Sequence, residues 1–276
     1  MDLKDLFGRV KTIPNTELNK DNWFEKQPVK KIKIGAIEFY LNQPSSTFWV
    51  YFLGIIVTLA GVKFLQIQGK EISRYWWGIS LILWGVGAVI AGTSYQAFGY
   101  ELKCARKEVC QWTSWWEVIY LIFQQVSMNA MTVAIAYSCT TGVFREVLIW
   151  YSIILSVLYT VVTFVGAFIP KKSLITFEFM MLASLPSFIL FCVLNVVRYF
   201  QFGYTMDLVL IGSWVLIYAS WWGYDKYYKA GITEKLWAKG KWFSENDVLH
   251  VILIVWGFYV LFLMPEYIRD YTYFLK

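Results

Sequence analysis

Seven stretches of this chain stay apolar for about the twenty residues that a helix needs to cross the hydrocarbon core of a bilayer. They run roughly over 47–66, 75–98, 115–138, 147–169, 173–197, 207–224 and 247–265. None alternates polar and apolar residues as a membrane β-barrel strand does, and no internal repeat is visible. Composition agrees: 58% of the residues are hydrophobic and only 16% are charged, against about 25% charge in a soluble domain. The expected fold is all-α, a seven-transmembrane-helix bundle over 46–269. A polar segment, 1–45, precedes it and a tail, 270–276, follows it. "MDLKDLFGRVKTI" in the first segment is amphipathic and is expected to lie in the membrane interface. The stretch 225–246 mixes Lys with Trp and Tyr, which suits a helix held at headgroup level. The first 45 residues show no short apolar core with a small-residue cleavage site, so insertion is expected to begin with the first span.

The net charge is +6. It does not point to nucleic acid, because the basic residues sit between apolar spans, where they set orientation or meet lipid headgroups. With seven spans the termini lie on opposite sides; the N-terminal side is called side A here. Side A holds 18 of the Lys and Arg residues and side B holds 7. The positive-inside rule then places the N-terminus in the cytoplasm and the C-terminus opposite. Cys104 and Cys110 share one side-A loop, where they are either free thiols or a disulfide. A cytoplasmic side A favours free thiols, because cytosolic cysteines stay reduced. Cys139 and Cys192 fall in or beside apolar runs, as packing residues do.

Ionisable groups within a span are costly and usually face the bundle interior. Sorted by depth, they gather toward side A. The second span closes on "GTSYQAFGYELKC", with Thr93, Ser94, Gln96 and Glu101. The third opens with Glu117, followed by Gln124, Gln125, Ser127 and Asn129. The fifth carries Glu178 and the seventh begins with Asp247 and His250. Ser94 and Glu101 share a face if the helix continues through both, as do Asp247 and His250. These groups are expected to line a polar cavity in the side-A half of the bundle. The bland readings are that Glu117 and Asp247 are first-turn acids favoured by the helix dipole, and that Gln124, Gln125, Ser127 and Asn129 are interhelical hydrogen-bond glue. Side B carries less: Lys63, Asn195, Arg198 and Asp207, near helix ends where long side chains can snorkel.

His250 is the sole histidine. A zinc ion held by His250 with two of Glu101, Glu117 and Glu178 is chemically allowed, as is a nucleophilic Ser94 with His250 as its base. The seventh span contains no Lys, so a retinal Schiff base is not available there. No phosphate-binding glycine loop, CxxC pair or HExxH motif occurs.

A Ser-bearing end of the second span, an acid opening the third and a His opening the seventh resemble the alkaline ceramidase-like (CREST) superfamily of membrane hydrolases. That resemblance implies seven spans and a zinc ion held by three His that activates water against a lipid amide. Ser94 matches the family's serine, but Phe98 stands where its motif has His. Glu117 lies beyond the place of the family's Asp. His250 matches the first His of the seventh-span pair, and Ile254 replaces the second. "DNWFE…IEFYLN" is similar to the family's calcium-binding segment, which implies Asp21, Glu25, Glu38 and Asn42 as calcium ligands.

The expected function is that of an integral membrane protein binding a lipid or amphipathic small molecule. Gln96, Glu101, Glu117, Gln124, Glu178 and His250 would line the cavity, in a ceramidase-like scaffold short of the full metal site. Two alternatives belong to other classes. One is an active lipid amide or ester hydrolase using Ser94, Glu117 and His250. The other is a structural subunit of a larger membrane complex.

Overall fold

The computed structural model describes residues 2–275. Seven helices are long and apolar enough to cross a membrane, and the protein is a multi-pass integral membrane protein. The spans are α1 (Pro44–Gln66), α2 (Ile72–Gly92), α3 (Trp115–Cys139), α4 (Gly142–Phe168), α5 (Phe177–Phe202), α6 (Thr205–Lys229) and α7 (Glu245–Phe262). α1, α2, α3, α5, α6 and α7 pack side by side into a closed ring, and α4 leans on the outside of α3. α3 is accordingly the most buried span and α4 the least.

α1 and α2 approach closely because glycines line their seam. A Cβ built on Gly85 would stand 2.2 Å from Thr58 Oγ1 and 2.6 Å from the Gly54 carbonyl oxygen. Gly61 faces Gly78 in the same way, its Cβ falling 2.8 Å from the Gly78 oxygen. In hydrocarbon, association rests on packing, and small residues let two backbones come together. Gly85→Ala is therefore expected to destabilise the protein by about 1–3 kcal/mol, the usual cost of overpacking. Thermal unfolding in detergent checks this, with Gly8→Ala as the control, since a Cβ at Gly8 meets nothing within 4 Å.

The side-B half of the ring is filled by aromatic rings. Phe64 stacks on Trp77, Trp77 on Trp214, and Trp214 leans on Phe191, with centroids 5.0–6.0 Å apart. Trp84 meets Trp256, whose indole N–H donates to Ser213 Oγ. Ser80 and Ser127 each donate a hydroxyl to the other's carbonyl across α2 and α3.

The side-B polar residues do not all snorkel. Asp207 is fully buried and Arg198 is 4% exposed, and they form an ion pair with Arg198 Nε 3.0 Å from Asp207 Oδ1. Asn195 Nδ2 donates to the same oxygen, Trp214 Nε1 donates to Asn195 Oδ1, and Arg198 Nη1 donates to the Cys139 carbonyl. The guanidinium also lies 4.7 Å from the centre of the Tyr271 ring. One charge compensates the other inside the protein, and α5 runs through Arg198 to Phe202, past the expected end near 197. Asp270 adds a second clasp by accepting from the Ile72 and Ser73 amides at the start of α2.

On side A residues 2–43 fold back over the bundle. The amphipathic start turns Val10 and Ile13 into a cluster with Val118, Leu121 and Tyr159, while Trp115 Nε1 donates to the Phe7 carbonyl. Val10 and Ile13 are thus covered by the bundle, while Leu3 and Phe7 stay exposed. A hairpin follows, with β1 (Val29–Ile34) antiparallel to β2 (Ile37–Asn42). Gly35 at φ 60° opens its two-residue turn, a conformation that glycine adopts without strain. The Cys loop joins this cap: Cys104 and Cys110 are paired in a disulfide, packed beneath Trp23. The free-thiol reading of these two cysteines is corrected accordingly.

Candidate functional site

The polar close of the second span has a structural cause. α2 does not run on as an α-helix; residues Thr93–Ala97 form a single π-helical turn, in which the Phe98 amide reaches back to the Thr93 carbonyl. Such a turn carries one extra residue and often marks a functional site. It turns Ser94 inward and presents Tyr95 and Gln96 to the interior of the ring. A new short helix, Gly99–Lys103, then starts in another direction. Ser94 and Glu101 therefore do not share a face, because the helix on which that expectation depended ends at the π turn.

Glu117, in the first turn of α3, is the centre of a buried polar wall. Its Oε1 accepts from Ser94 Oγ and from Lys103 Nζ, both at 2.7 Å. Ser94 Oγ lies 2.7 Å from Ser114 Oγ as well. Glu117 is 2% exposed and Lys103 7%. A buried charge survives only when paired and hydrogen-bonded, and both conditions hold here. Lys103 Nζ also sits 5.1 Å from the centre of the Tyr95 ring.

In front of this wall, in the side-A half of the bundle, lies a cavity of about 390 Å³. Its polar lining includes Gln96, Lys103, Glu178, Asn246 and His250, with the phenols Tyr95, Tyr120 and Tyr224; Val50, Ala91, Leu249, Phe177 and Trp221 supply apolar surface. Leu18, Trp23 and Gln27 of the N-terminal cap roof it. Trp23 is held there by its indole N–H on Asn42 Oδ1, and Asn42 Nδ2 donates to Gln27 Oε1. His250 Nδ1 is buried and has no hydrogen-bond partner among the described residues.

Of the residues singled out in the sequence, Gln96, Glu178 and His250 meet at the cavity. Glu178 stands in the exposed first turn of α5, at the rim. Ser94 and Glu117 stand in the wall behind Lys103. Glu101 is elsewhere: its Oε1 accepts from the Tyr40 amide and ties the hairpin to the Cys loop. Gln124 Nε2 donates to the Trp84 carbonyl on the α2–α3 seam, and Gln125 accepts from Ser184 while donating to Asn129, so this group acts as interhelical glue. Asp247 forms a capping box with Ser244 at the start of α7. Sequence reasoning missed Lys103, because a loop lysine reads as an orientation charge, and the three tyrosines, because phenols read as interface belt. Asn246, one turn before His250 on the same helical face, was legible by spacing alone.

The side chains that a metal would need are not drawn together. Among the described residues no three His, Cys, Asp or Glu side chains gather around one point. Glu117 already holds the Lys103 ammonium, which disfavours a second cation at the same carboxylate. At the calcium-like segment, Asp21 and Glu25 are exposed, and Glu38 pairs with Lys31. Hydrogen bonding to Glu38 raises the Lys31 ammonium above its ordinary pKa. Asn42 holds Trp23 and Gln27.

Comparison of the chain with known protein families, with characterised proteins and with solved structures returns no match in any of the three.

Proposed function

We propose that the protein binds the polar end of a lipid or other amphipathic small molecule in the side-A cavity, within a scaffold of the alkaline ceramidase-like type. The observation that carries this reading is a hollow at one level of the bundle, half polar and half apolar, lined by Gln96, Asn246 and the sole histidine. The volume, about 390 Å³, falls at the low end of small-molecule pockets. It suits a polar end and a short length of chain, not a whole two-chain lipid. Lys103 is compensated by Glu117, so the cavity's one uncompensated carboxylate is Glu178 at the rim. That balance favours an uncharged or zwitterionic polar end over an anionic one.

Native mass spectrometry of the protein released from mild detergent tests the proposal. The wild type is expected to carry a co-purifying amphipathic molecule. His250→Leu is expected to bind it about tenfold more weakly, the equivalent of one hydrogen bond of about 1.4 kcal/mol, with an unfolding temperature unchanged. A wild type that carries no such molecule, or a His250→Leu variant equally occupied, would sink the reading.

The charge count places side A in the cytosol, whereas a Cys104–Cys110 disulfide forms in an oxidising compartment; a glycosylation test decides between the two.

A further inference from the structure

We propose that the β1–β2 hairpin is a membrane arm: its apolar face lies on the phospholipid interface beside the side-A ends of α1 and α2, and its lysines meet lipid phosphates.

The register sorts the side chains. Successive residues of a strand point to opposite faces, and residues paired across two strands share one. Ile32 pairs with Phe39 and Ile34 with Ile37, so these four form one face, which Leu41 and Lys30 continue at its base. Lys31 pairs with Tyr40 and Lys33 with Glu38, which gives the opposite face two ammonium groups, a carboxylate and a phenol. The two faces meet different surroundings. At the base of the polar face Tyr40 packs on Phe24 and Tyr100 of the cap, and its amide donates to Glu101. The apolar face is turned to the end of the second span, where the Phe39 ring stands 5.7 Å from that of Phe98.

Both connections put the base of the hairpin at the membrane boundary. Phe98 directly follows the apolar span Ile72–Ala97, and β2 ends at Asn42, just before the span that begins at Pro44. Phe48, one turn into α1, is exposed, so lipid-facing surface reaches this level. Beyond Phe39 the apolar face is bare: Ile34 and Ile37 are 65% and 68% exposed. No third strand joins the pair, and a two-stranded hairpin is marginal in water on its own. The bilayer interface supplies what the outer half lacks. Isoleucine side chains enter the acyl boundary, as the apolar face of an interfacial helix does. The strand edges stay among hydrated headgroups, because unpaired backbone groups are not tolerated deeper. Charge agrees with this placement. Glu38 pairs with Lys31, and Lys30 and Lys33 have no acid partner among the described residues. Their long stems let the ammonium groups reach phosphates, which adds electrostatic attraction to the surface.

The test uses the full-length protein in nanodiscs of phosphatidylcholine and phosphatidylglycerol, which leave both membrane sides open to the water. A nitrobenzoxadiazole fluorophore is placed on Ile37→Cys or, separately, on Lys33→Cys, each in a Cys192→Ala background. These positions belong to neighbouring cross-strand pairs on opposite faces. One quencher is aqueous iodide; the other is a lipid with a nitroxide near the headgroup end of its acyl chain. The label at Ile37 is expected to be quenched by the nitroxide lipid, and several-fold less by iodide than the label at Lys33. The label at Lys33 is expected to show the reverse. Two labels equally open to iodide place the arm in water and overturn the proposal. A label at Ile37 shielded from both quenchers is covered by protein, a second copy included, and overturns it as well. A misfolded arm would expose the two positions alike, so the contrast between faces is its own folding control.

Discussion

Asp207→Leu is expected to lower the stability of the protein by about 3–5 kcal/mol, the cost of breaking a buried ion pair from one side. The variant leaves the Arg198 guanidinium 4% exposed, with no carboxylate to compensate it. Asn195 Nδ2 loses its acceptor at the same time. Nothing nearby makes good the loss: Arg198 Nη2 and Asp207 Oδ2 already lack partners among the described residues. The pair joins α5 to α6, and through the Cys139 carbonyl and the Tyr271 ring it also reaches α3 and the C-terminal segment. The damage should therefore spread over the whole side-B end. Arg198→Met combined with Asp207→Leu should recover most of the loss, because two apolar side chains leave no charge behind. Thermal unfolding of the four proteins in detergent closes the double-mutant cycle. A single variant as stable as the wild type would show that the pair is solvated in a way the burial denies.

The seven spans were legible because twenty apolar residues in a row are a property of composition, which tertiary contacts do not alter. What changed was at the ends. α5 passes through Arg198, which Asp207, nine residues on, compensates, and no local reading of 173–197 contains that fact. The level of the cavity was legible as well: Gln96, Glu178 and His250 all lie near the side-A ends of their spans. The wall behind it was not. Ser94 and Glu117 stand at the expected depth, but their partner is Lys103, brought inward by a π turn and a helix break that apolar periodicity does not signal. The hairpin was written in the sequence. "VKKIKIGAIEFYLN" has two β-rich runs around a Gly-Ala turn, and it was obscured by reading 1–45 as one interfacial segment. The disulfide could be read only as an option, since two cysteines six residues apart pair or not according to the fold and the compartment.

That compartment is open to an all-or-none measurement. If side A is oxidising, an N-glycosylation acceptor appended before the N-terminus should be glycosylated in microsomes, and one appended after the C-terminus should not. Cys104 and Cys110 should resist maleimide in the denatured protein until a reductant is added. Closing so short a loop removes conformational entropy from the unfolded chain, so Cys104→Ser together with Cys110→Ser should cost about 2 kcal/mol on the loop-entropy estimate. The consequence for the cavity should exceed that for global stability. Lys103 precedes Cys104 directly, and Trp23 packs on the bridge, so the same bond holds one wall lysine and the roof. Without it the Lys103–Glu117 contact should loosen and Trp23 lose its floor, and the co-purifying molecule should be held more weakly. A glycan on the C-terminal acceptor, with none at the N-terminus and two freely alkylated thiols, would restore the orientation that the lysine and arginine count favours and make the cap a cytosolic structure.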